Sequence, residues 1–305
     1  MKCRMCSSTK RIVTRALLAI TLLGVGRANA EESPSRDARA ILEKVVRAVA
    51  GNRAQLKDVR AEILVVTENH HVDKPKKTVF RTQQGTMTTF VSPRDTARET
   101  IAISGDQLRY DRTGGLTFEE LNPDETWVIK PGKWQLYRPG PPGWLNSWRR
   151  PEQIGRRHPI DPRDYGCPNM GLGLQKWLES LPLRSAQLVQ QSDGTTLIQL
   201  QLTDHESALD VECSSRDGFL PSLIVNAYNK AIVASTEIAY QPVLQGKAWF
   251  PKTMFQRSFT NGAPHGPRSN DCPFMTKWFV TKLDVQSGEK LRPIPPFRVP
   301  AGTRD

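Results

Sequence analysis

The stretch GKAWFPKTMFQ, residues 246–256, decides the fold because it carries bulky apolar groups on both faces of a candidate strand. Side chains alternate along an extended strand, so Trp249 and Phe255 point one way while Phe250 and Met254 point the other. An ordinary half-buried strand has only one apolar face. A strongly curved sheet that wraps other elements gives both faces of this stretch a cover.

Strand candidates occupy most of the chain on either side of this stretch. Several of them are separated by short turns with Asp-Gly or Asn, which favours antiparallel hairpins in meander order. The candidates are 62–68, 78–91, 100–104, 107–112, 126–130, 133–138, 185–191, 196–202, 208–215, 220–228, 231–240, 248–259 and 277–285.

Some of these strands have one apolar and one polar face. In 196–202, Ile198, Leu200 and Leu202 form an apolar face, and Gln199 and Gln201 form the opposite, polar face. In 231–240, Ser235 and Glu237 oppose an apolar set, so we expect them to face water.

Two helices are predicted beside the strands. Residues 35–50 place Ala, Ile, Leu and Val on one helical stripe, and Gly51 with Asn52 predicts its end. Residues 172–182 form a short amphipathic pattern that brings Trp177 to an apolar surface.

The first thirty residues have the pattern of a cleaved secretory signal peptide. A basic start precedes the apolar run ALLAITLLGV, residues 16–25, and Ala28-Asn29-Ala30 fits a cleavage site. A retained membrane anchor needs about 20 apolar residues, roughly twice the length of this run. We therefore expect a mature domain over 31–305 that is exported to the periplasm.

Export changes the charge of the chain. Residues 1–30 hold six Lys or Arg and no Asp or Glu, so 37 basic and 31 acidic residues remain, and the net charge falls from +12 to +6. This mild excess is compatible with an anionic membrane surface, but it gives no reason to expect a nucleic-acid partner.

Three cysteines remain after cleavage. Cys213 shares an apolar strand face with Leu209 and Val211, which predicts a buried free thiol. Cys167 and Cys272 lie in loops with Pro and Asn, so a disulfide would join this pair; three reduced cysteines are the alternative.

The segment 139–171 is a long insert rich in Pro, Trp and Arg. Its prolines argue against regular structure, and its lid or docking candidates are Trp144, Trp148, Arg149 and Arg150. Three interpretations stay open: a lid over an apolar cavity, a surface for anionic lipid headgroups, and a loop packed by its own side chains.

Nothing in the sequence has the pattern of an enzyme, a metal site or a cofactor site. There is no nucleophile elbow, zinc-protease helix, phosphate loop or dinucleotide fingerprint in a usable context. His70 and His71 are adjacent on a strand end and point apart, and Asp210 with Glu212 fits a solvated strand face.

Several stretches together resemble the LolA/LolB-like superfamily of periplasmic lipoprotein carriers, in particular its divergent lipoprotein-sorting homologues. These stretches are VRAEILV, GDQLRYD, RDGFLPSLIV, EIAYQPV, GKAWFPKTM and the terminal FRVPAGT. The resemblance implies an α+β, mainly β fold, an incomplete antiparallel β-barrel of curved sheet with helices covering the concave face.

The resemblance also implies a function, the carriage of a lipid or acylated ligand in the cell envelope. Apolar burial would drive binding, at about 25 cal/mol per Å². The expected ligand-binding residues are Ile63, Val65, Trp127, Trp177, Trp249, Phe250, Met254 and Phe255. The alternative is a filled barrel that serves as an interaction module and docks on a membrane surface or an envelope protein.

Overall fold

The computed structural model describes most of the chain after the predicted signal peptide. The described residues are 35–82, 85–114, 124–138, 144–148, 161–165, 173–204, 207–260, 262–263, 265–288, 290–297, 300–301 and 303. The predicted signal peptide, Arg149, Arg150 and Cys167 lie outside them.

Helix α1 spans Arg36–Gln55 and is capped by Ser35, whose hydroxyl accepts a hydrogen bond of 3.1 Å from the Ala38 N–H. The predicted end at Gly51 is wrong, because the helix continues for another turn. An interior glycine costs about 1 kcal/mol relative to alanine, and contacts made by the last turn of α1 offset that cost. Helix α2, Gly173–Ser180, confirms the second predicted helix.

Thirteen strands of the described residues form one curved antiparallel sheet that is not closed, with the order β8-β7-β6-β5-β4-β1-β15-β14-β13-β12-β11-β10-β9. This arrangement confirms the predicted fold class. The strands are β1 Asp58–Asn69, β4 Arg94–Ser104, β5 Gln107–Gly114, β6 Glu125–Lys130, β7 Lys133–Arg138, β8 Trp144–Trp148, β9 Leu183–Gln190, β10 Thr196–Asp204, β11 Ser207–Ser214, β12 Pro221–Tyr228, β13 Ala231–Val243, β14 Ala248–Ser258 and β15 Phe274–Gln286.

Two predicted segments differ from the structure. The single strand expected at 78–91 is two strands, β2 Lys76–Thr82 and β3 Gly85–Val91, which pair with each other as a separate two-stranded sheet. The segment 139–171 was expected to lack regular structure, but its residues Trp144–Trp148 form edge strand β8, paired with β7. A segment with prolines at both ends can still pair where the prolines stop.

Ser235 also departs from its predicted exposure. Its side chain is buried, and its hydroxyl donates a hydrogen bond of 2.5 Å to the carbonyl oxygen of Pro267. The loop after β14 covers this part of the outer face, so the face is not open to water. The predicted polar face of β10 is confirmed, since Ile198, Leu200 and Leu202 are buried beside the less buried Gln199 and Gln201.

Two large apolar clusters fill the inner side of the sheet. The inner cluster consists of Leu56, Val59, Ala61, Ile63, Val65, Ala97, Ile101, Ile103, Leu108, Tyr110, Trp127, Leu136, Tyr165, Ile238, Ala248, Phe250 and Met254. The helix cluster consists of Val45, Val49, Leu174, Trp177, Leu178, Leu181, Ile198, Leu200, Leu202, Leu209, Val211, Cys213, Leu220 and Ile224. Tyr240 packs against both, so the two clusters are continuous.

Candidate functional site

The structure brings five of the eight predicted ligand-binding residues together in the inner cluster. Ile63 and Val65 reach it from β1, Trp127 from β6, and Phe250 and Met254 from β14. All five are nearly inaccessible, with exposed fractions of 0–4%. The inner face of the sheet thus has a continuous apolar floor made by strands far apart in sequence.

The other three predicted residues lie elsewhere. Trp177 is buried in the helix cluster, and Trp249 packs against that cluster from β14. Phe255 packs against a small cluster beneath the 259–273 loop and meets Phe279 edge-on, with ring centroids 6.0 Å apart. The apolar side chains of β14 are therefore covered by three separate groups of residues: the inner cluster, the helix cluster and the small cluster beneath the 259–273 loop.

A row of charged residues crosses the inner face next to this floor. Cross-strand pairing places Glu99, Arg112 and Glu125 side by side on β4, β5 and β6, and Arg138 of β7 reaches Glu125 through its side chain. Opposite charges alternate along the row, with Arg112 3.9 Å from Glu99 and Arg138 3.9 Å from Glu125. The sequence carries one signal for this row, because Glu99 interrupts the inward apolar positions Ala97, Ile101 and Ile103.

Glu99 is the most buried member of the row. Its carboxylate accepts a hydrogen bond of 2.7 Å from the Tyr110 hydroxyl, and its exposed fraction is 5%. Burial raises the pKa of Glu99, while the Tyr110 hydrogen bond and Arg112 oppose the rise. Burial and the same carboxylate raise the pKa of Tyr110 well above its ordinary range. The apolar floor therefore ends at a polar group that resists ionisation.

The sheet forks between β14 and β15. These strands pair only from Thr253, opposite Phe279, to Ser258, so residues 248–252 pair with no described strand on that side. The buried Tyr165 fills the inner side near this fork, its ring centroid 6.4 Å from that of Trp278. Tyr165 belongs to the Pro-rich insert 139–171, and the sequence around it gave no signal for this role.

Helix α1 is tied to the unpaired edge of β14 by Asn52. The Asn52 side-chain amide donates to the Trp249 carbonyl at 3.0 Å and accepts from the Trp249 N–H at 2.7 Å. One carboxamide thus replaces a neighbouring strand for this residue. The α1–β14 contact is polar and specific.

A cluster of two arginines and two aspartates joins α1 to α2. Arg53 of α1 bonds Asp164 at 2.5 Å, and Asp164 accepts from the Leu174 N–H at the start of α2 at 3.0 Å. Arg163 forms a close pair with Asp161 at 2.6 Å and donates to the carbonyl oxygens of Leu56 and Gly105. Burial opposes ionisation of Asp161, but Arg163 and Arg53 outweigh it and lower its pKa. The short turn Pro162–Asp164 therefore fixes both helices.

Other predicted residues are placed as follows. Cys213 is confirmed as a buried free thiol, and burial raises its pKa. Cys272 is also buried, and its pairing with Cys167, which lies outside the described residues, stays a prediction. The backbones of Trp144 and Trp148 form β8, and a lid or docking role for them stays a prediction.

The described residues offer neither a metal site nor a membrane-spanning helix. Within the described residues, no three His, Cys, Asp or Glu side chains are grouped so that they could hold a metal ion. Neither α1 nor α2 combines the length and the apolar character that a bilayer-crossing helix requires.

Comparison with known proteins gives likenesses in structure only. Neither a protein-family model nor a curated protein matches the chain. A solved domain from Vibrio parahaemolyticus, provisionally assigned as an outer membrane lipoprotein-sorting protein, is similar at 16% identity and a TM-score of 0.39, covering 82% of this chain and 95% of that one. A LolA superfamily protein from Nitrosomonas europaea is similar at 12% identity and a TM-score of 0.45, covering 85% of this chain and 94% of that one. The resemblance expected from the sequence is thus found among solved structures.

Proposed function

We propose that this protein is a carrier of a hydrophobic ligand, a lipid or an acyl chain, and that it works in the periplasm after export. The ligand lies between the inner face of the sheet and helices α1 and α2. The chemistry is non-covalent, and apolar burial supplies the affinity.

The observation that carries the proposal is a continuous apolar inner face on a sheet whose two edge strands pair, within the described part of the chain, on one side only. Strands β8 and β9 end the sheet order and do not pair with each other. The two halves of the sheet can therefore move apart without breaking any hydrogen bond between strands. Such a movement exposes the floor around Trp127, Phe250 and Met254 to an entering chain.

The charged row gives the ligand an orientation. An acyl chain fits the apolar floor, and its polar end meets Glu99, Arg112, Glu125 and Arg138 on β4–β7. Arg112 supports this role because its Nε atom is buried without a hydrogen-bond partner. A polar headgroup can supply the missing acceptor.

The same inner face also supports the rival function, an interaction module with a filled barrel. Its apolar side chains already pack against one another, with exposed fractions of 0–5% for most of them. Side chains alone can fill a small barrel. A filled barrel takes up no lipid, and this separates the two functions experimentally.

The test is native mass spectrometry of the mature protein, purified without detergent from the envelope of its own host. A carrier shows a stoichiometric lipid or acylated species, or takes up a lysophospholipid when one is offered. An apo mass in both experiments contradicts the carrier and favours the filled barrel.

A matched pair of variants locates the bound lipid. Ala61 is buried on the inner face of β1, and Ala239 is exposed on β13. Ala61→Leu narrows the inner space and lowers uptake several-fold, while Ala239→Leu adds the same mass and leaves uptake unchanged. Equal uptake by both variants would contradict a site on the inner face, and melting curves check that both variants are folded.

A further inference from the structure

The outer face of β1, β4 and β5 is covered by a segment near the end of the chain that forms no strand. This segment, residues 291–297 with sequence LRPIPPF, is called the strap. It starts beside β1 and β15, where the Arg292 N–H donates to Asp58 at 2.8 Å and its guanidinium bonds Asp284. It ends at Phe297, whose ring centroid lies 5.2 Å from that of Tyr137 on β7.

Hydrogen-bonded pairing with a neighbouring strand cannot hold the strap in place. Pro293, Pro295 and Pro296 have no N–H, so the segment cannot add to a sheet edge, and proline favours the extended polyproline conformation. Its carbonyl oxygens still need donors. Two arginines of the outer face supply them.

Arg60 and Arg109 contact the strap in the same way, because each donates to two consecutive carbonyl oxygens. Arg60 donates to the carbonyl oxygens of Arg292 at 3.2 Å and Pro293 at 2.9 Å. Arg109 donates to those of Pro295 at 3.2 Å and Pro296 at 2.9 Å. The second pair of carbonyls follows the first by three residues, which is one turn of a polyproline helix.

The spacing of the arginines follows from the sheet. Arg60, Ala102, Arg109, Val128 and Gln135 pair in one row across β1, β4, β5, β6 and β7, called the outer row. Donors alternate with small apolar residues along it, so successive donors are two strands, or about 9.6 Å, apart. Three polyproline residues rise about 9.3 Å. The outer row therefore matches the repeat of a proline-rich backbone.

Both arginines are also held by side-chain bonds that do not involve the strap. Arg109 is fixed by two bonds to Asp111, at 2.7 and 2.9 Å, and Thr126 donates to the same carboxylate at 2.7 Å. Arg60 bonds Asp58 at 3.3 Å. Preorganised donors of this kind raise affinity for an extended peptide because less freedom is lost on binding.

The strap does not fill its site. A cavity of about 370 Å³ remains between it and the sheet, lined by Gln107, Val128, Lys130 and Gln135 among others. Gln135 is the third donor position of the outer row, and Ile294 faces the same cavity. The surface has room for larger side chains than those of the strap.

We propose that the outer row is a docking surface for a proline-rich extended segment of a partner protein, and that the strap is an internal occupant that this segment displaces. Displacement breaks the arginine bonds to carbonyls, the Arg292 bonds to Asp58 and Asp284 and the ring contact of Phe297 with Tyr137, but no pairing between strands. This surface lies on the face opposite the apolar floor, so it adds a protein contact to the proposed carrier function.

The test uses the full chain with a weakened strap. Phe297→Ala removes the ring contacts to Tyr137 and Arg109 and leaves the outer row intact. A labelled peptide of residues 290–298, KLRPIPPFR, is titrated by fluorescence anisotropy. A tethered strap competes at an effective concentration on the order of mM, so we expect the variant to bind the peptide at least about tenfold more tightly than the wild-type chain.

Three controls make the result specific. A peptide with all three prolines changed to alanine should bind weakly, because it loses the three-residue repeat. In the Phe297→Ala background, Arg109→Ala should abolish binding, while Arg98→Ala, an exposed arginine on the outer face of β4, should not. No binding by the folded Phe297→Ala chain, or binding that survives Arg109→Ala, would overturn the docking surface.

A last measurement distinguishes a surface that binds a partner protein from one that binds only the strap. Peptides with Phe or Trp in place of Ile294 should bind more tightly than the strap sequence, because they fill the cavity. If the strap sequence binds best, the surface serves the strap alone and the partner is ruled out.

Discussion

At the scale of single residues, Glu99 is a carboxyl group held inside an apolar floor. Burial raises its pKa in the folded protein, so between its ordinary pKa and the raised value the folded state binds more protons than the unfolded state. Its stabilising contribution is complete below the ordinary pKa and is lost as the pH rises through the raised one. We expect the free energy of unfolding to fall over this range.

Glu99→Gln tests this pH dependence, because glutamine stays neutral and keeps an oxygen for the Tyr110 hydroxyl. From about pH 4 to about pH 7, the free energy of unfolding of the variant should rise relative to wild type in urea titrations. Tyr110→Phe removes a hydrogen bond that favours the ionised carboxylate, so its stability should fall more steeply than that of wild type. Parallel curves for Glu99→Gln and wild type would show that folding leaves the pKa of Glu99 unchanged.

Gly218 is a second residue whose surroundings restrict which amino acid can occupy the position. Its φ is +64°, and a Cβ at this position would lie 2.9 Å from Nε1 of Trp249. Gly218→Ala should therefore cost about 1–2 kcal/mol for the left-handed backbone and about 1–3 kcal/mol for the clash.

Gly194→Ala is the matched control for Gly218→Ala. Gly194 has a φ of +79° and open space around its Cβ position, so its variant carries only the backbone cost. Denaturant unfolding of both variants measures the difference. Equal losses would mean that Trp249 moves aside freely.

At the scale of elements, the last turn of α1 is bonded to β14 through one carboxamide, that of Asn52. Asn52→Ala removes both hydrogen bonds to Trp249 and leaves its backbone groups without those partners. The free energy of unfolding should fall by about 1–3 kcal/mol, and the Trp249 N–H should exchange faster.

Arg47→Ala provides the comparison on the same helix. Its side chain is 74% exposed and makes only a 4.0 Å contact with Glu43, so its effect should stay within about 0.5 kcal/mol. If Asn52→Ala behaves like Arg47→Ala, the apolar stripe and the Arg53–Asp164 pair hold the helix without help from Asn52.

The same helix shows how far the sequence predicts the fold. Its start, its apolar stripe and the alternation of β10 depend on neighbours in sequence, and all three were predicted. Its true end depends on Asn52 meeting Trp249, 197 residues away, which no local pattern contains. The same limit explains Ser235, which is buried by Pro267, and the inner position of Tyr165.

The features of the candidate site also divide into those that the sequence predicted and those that depend on tertiary contacts. Apolar residues at alternating positions predicted the members of the inner cluster from β1, β6 and β14. The division between two clusters was not predictable, because it depends on where α1 and α2 lie on the sheet. Phe255 was assigned to the wrong environment, because alternation shows that two faces exist but not which loop covers the second.

At the scale of the whole molecule, the carrier proposal requires a sheet that can open at its edges. β1 pairs on both sides over almost its whole length, with β15 and with β4. β9 pairs with β10 on one side and ends the sheet order. Local opening is easiest where backbone hydrogen bonds are few.

Hydrogen exchange measures this difference directly. The amides of β1 should be among the slowest in the protein, while alternate amides of β9, which point away from β10, should exchange rapidly. Uniform protection along β9 would mean that another part of the chain covers this edge and closes the sheet. Widening would then have to break strand pairing, and the filled barrel would become the better account of the inner face.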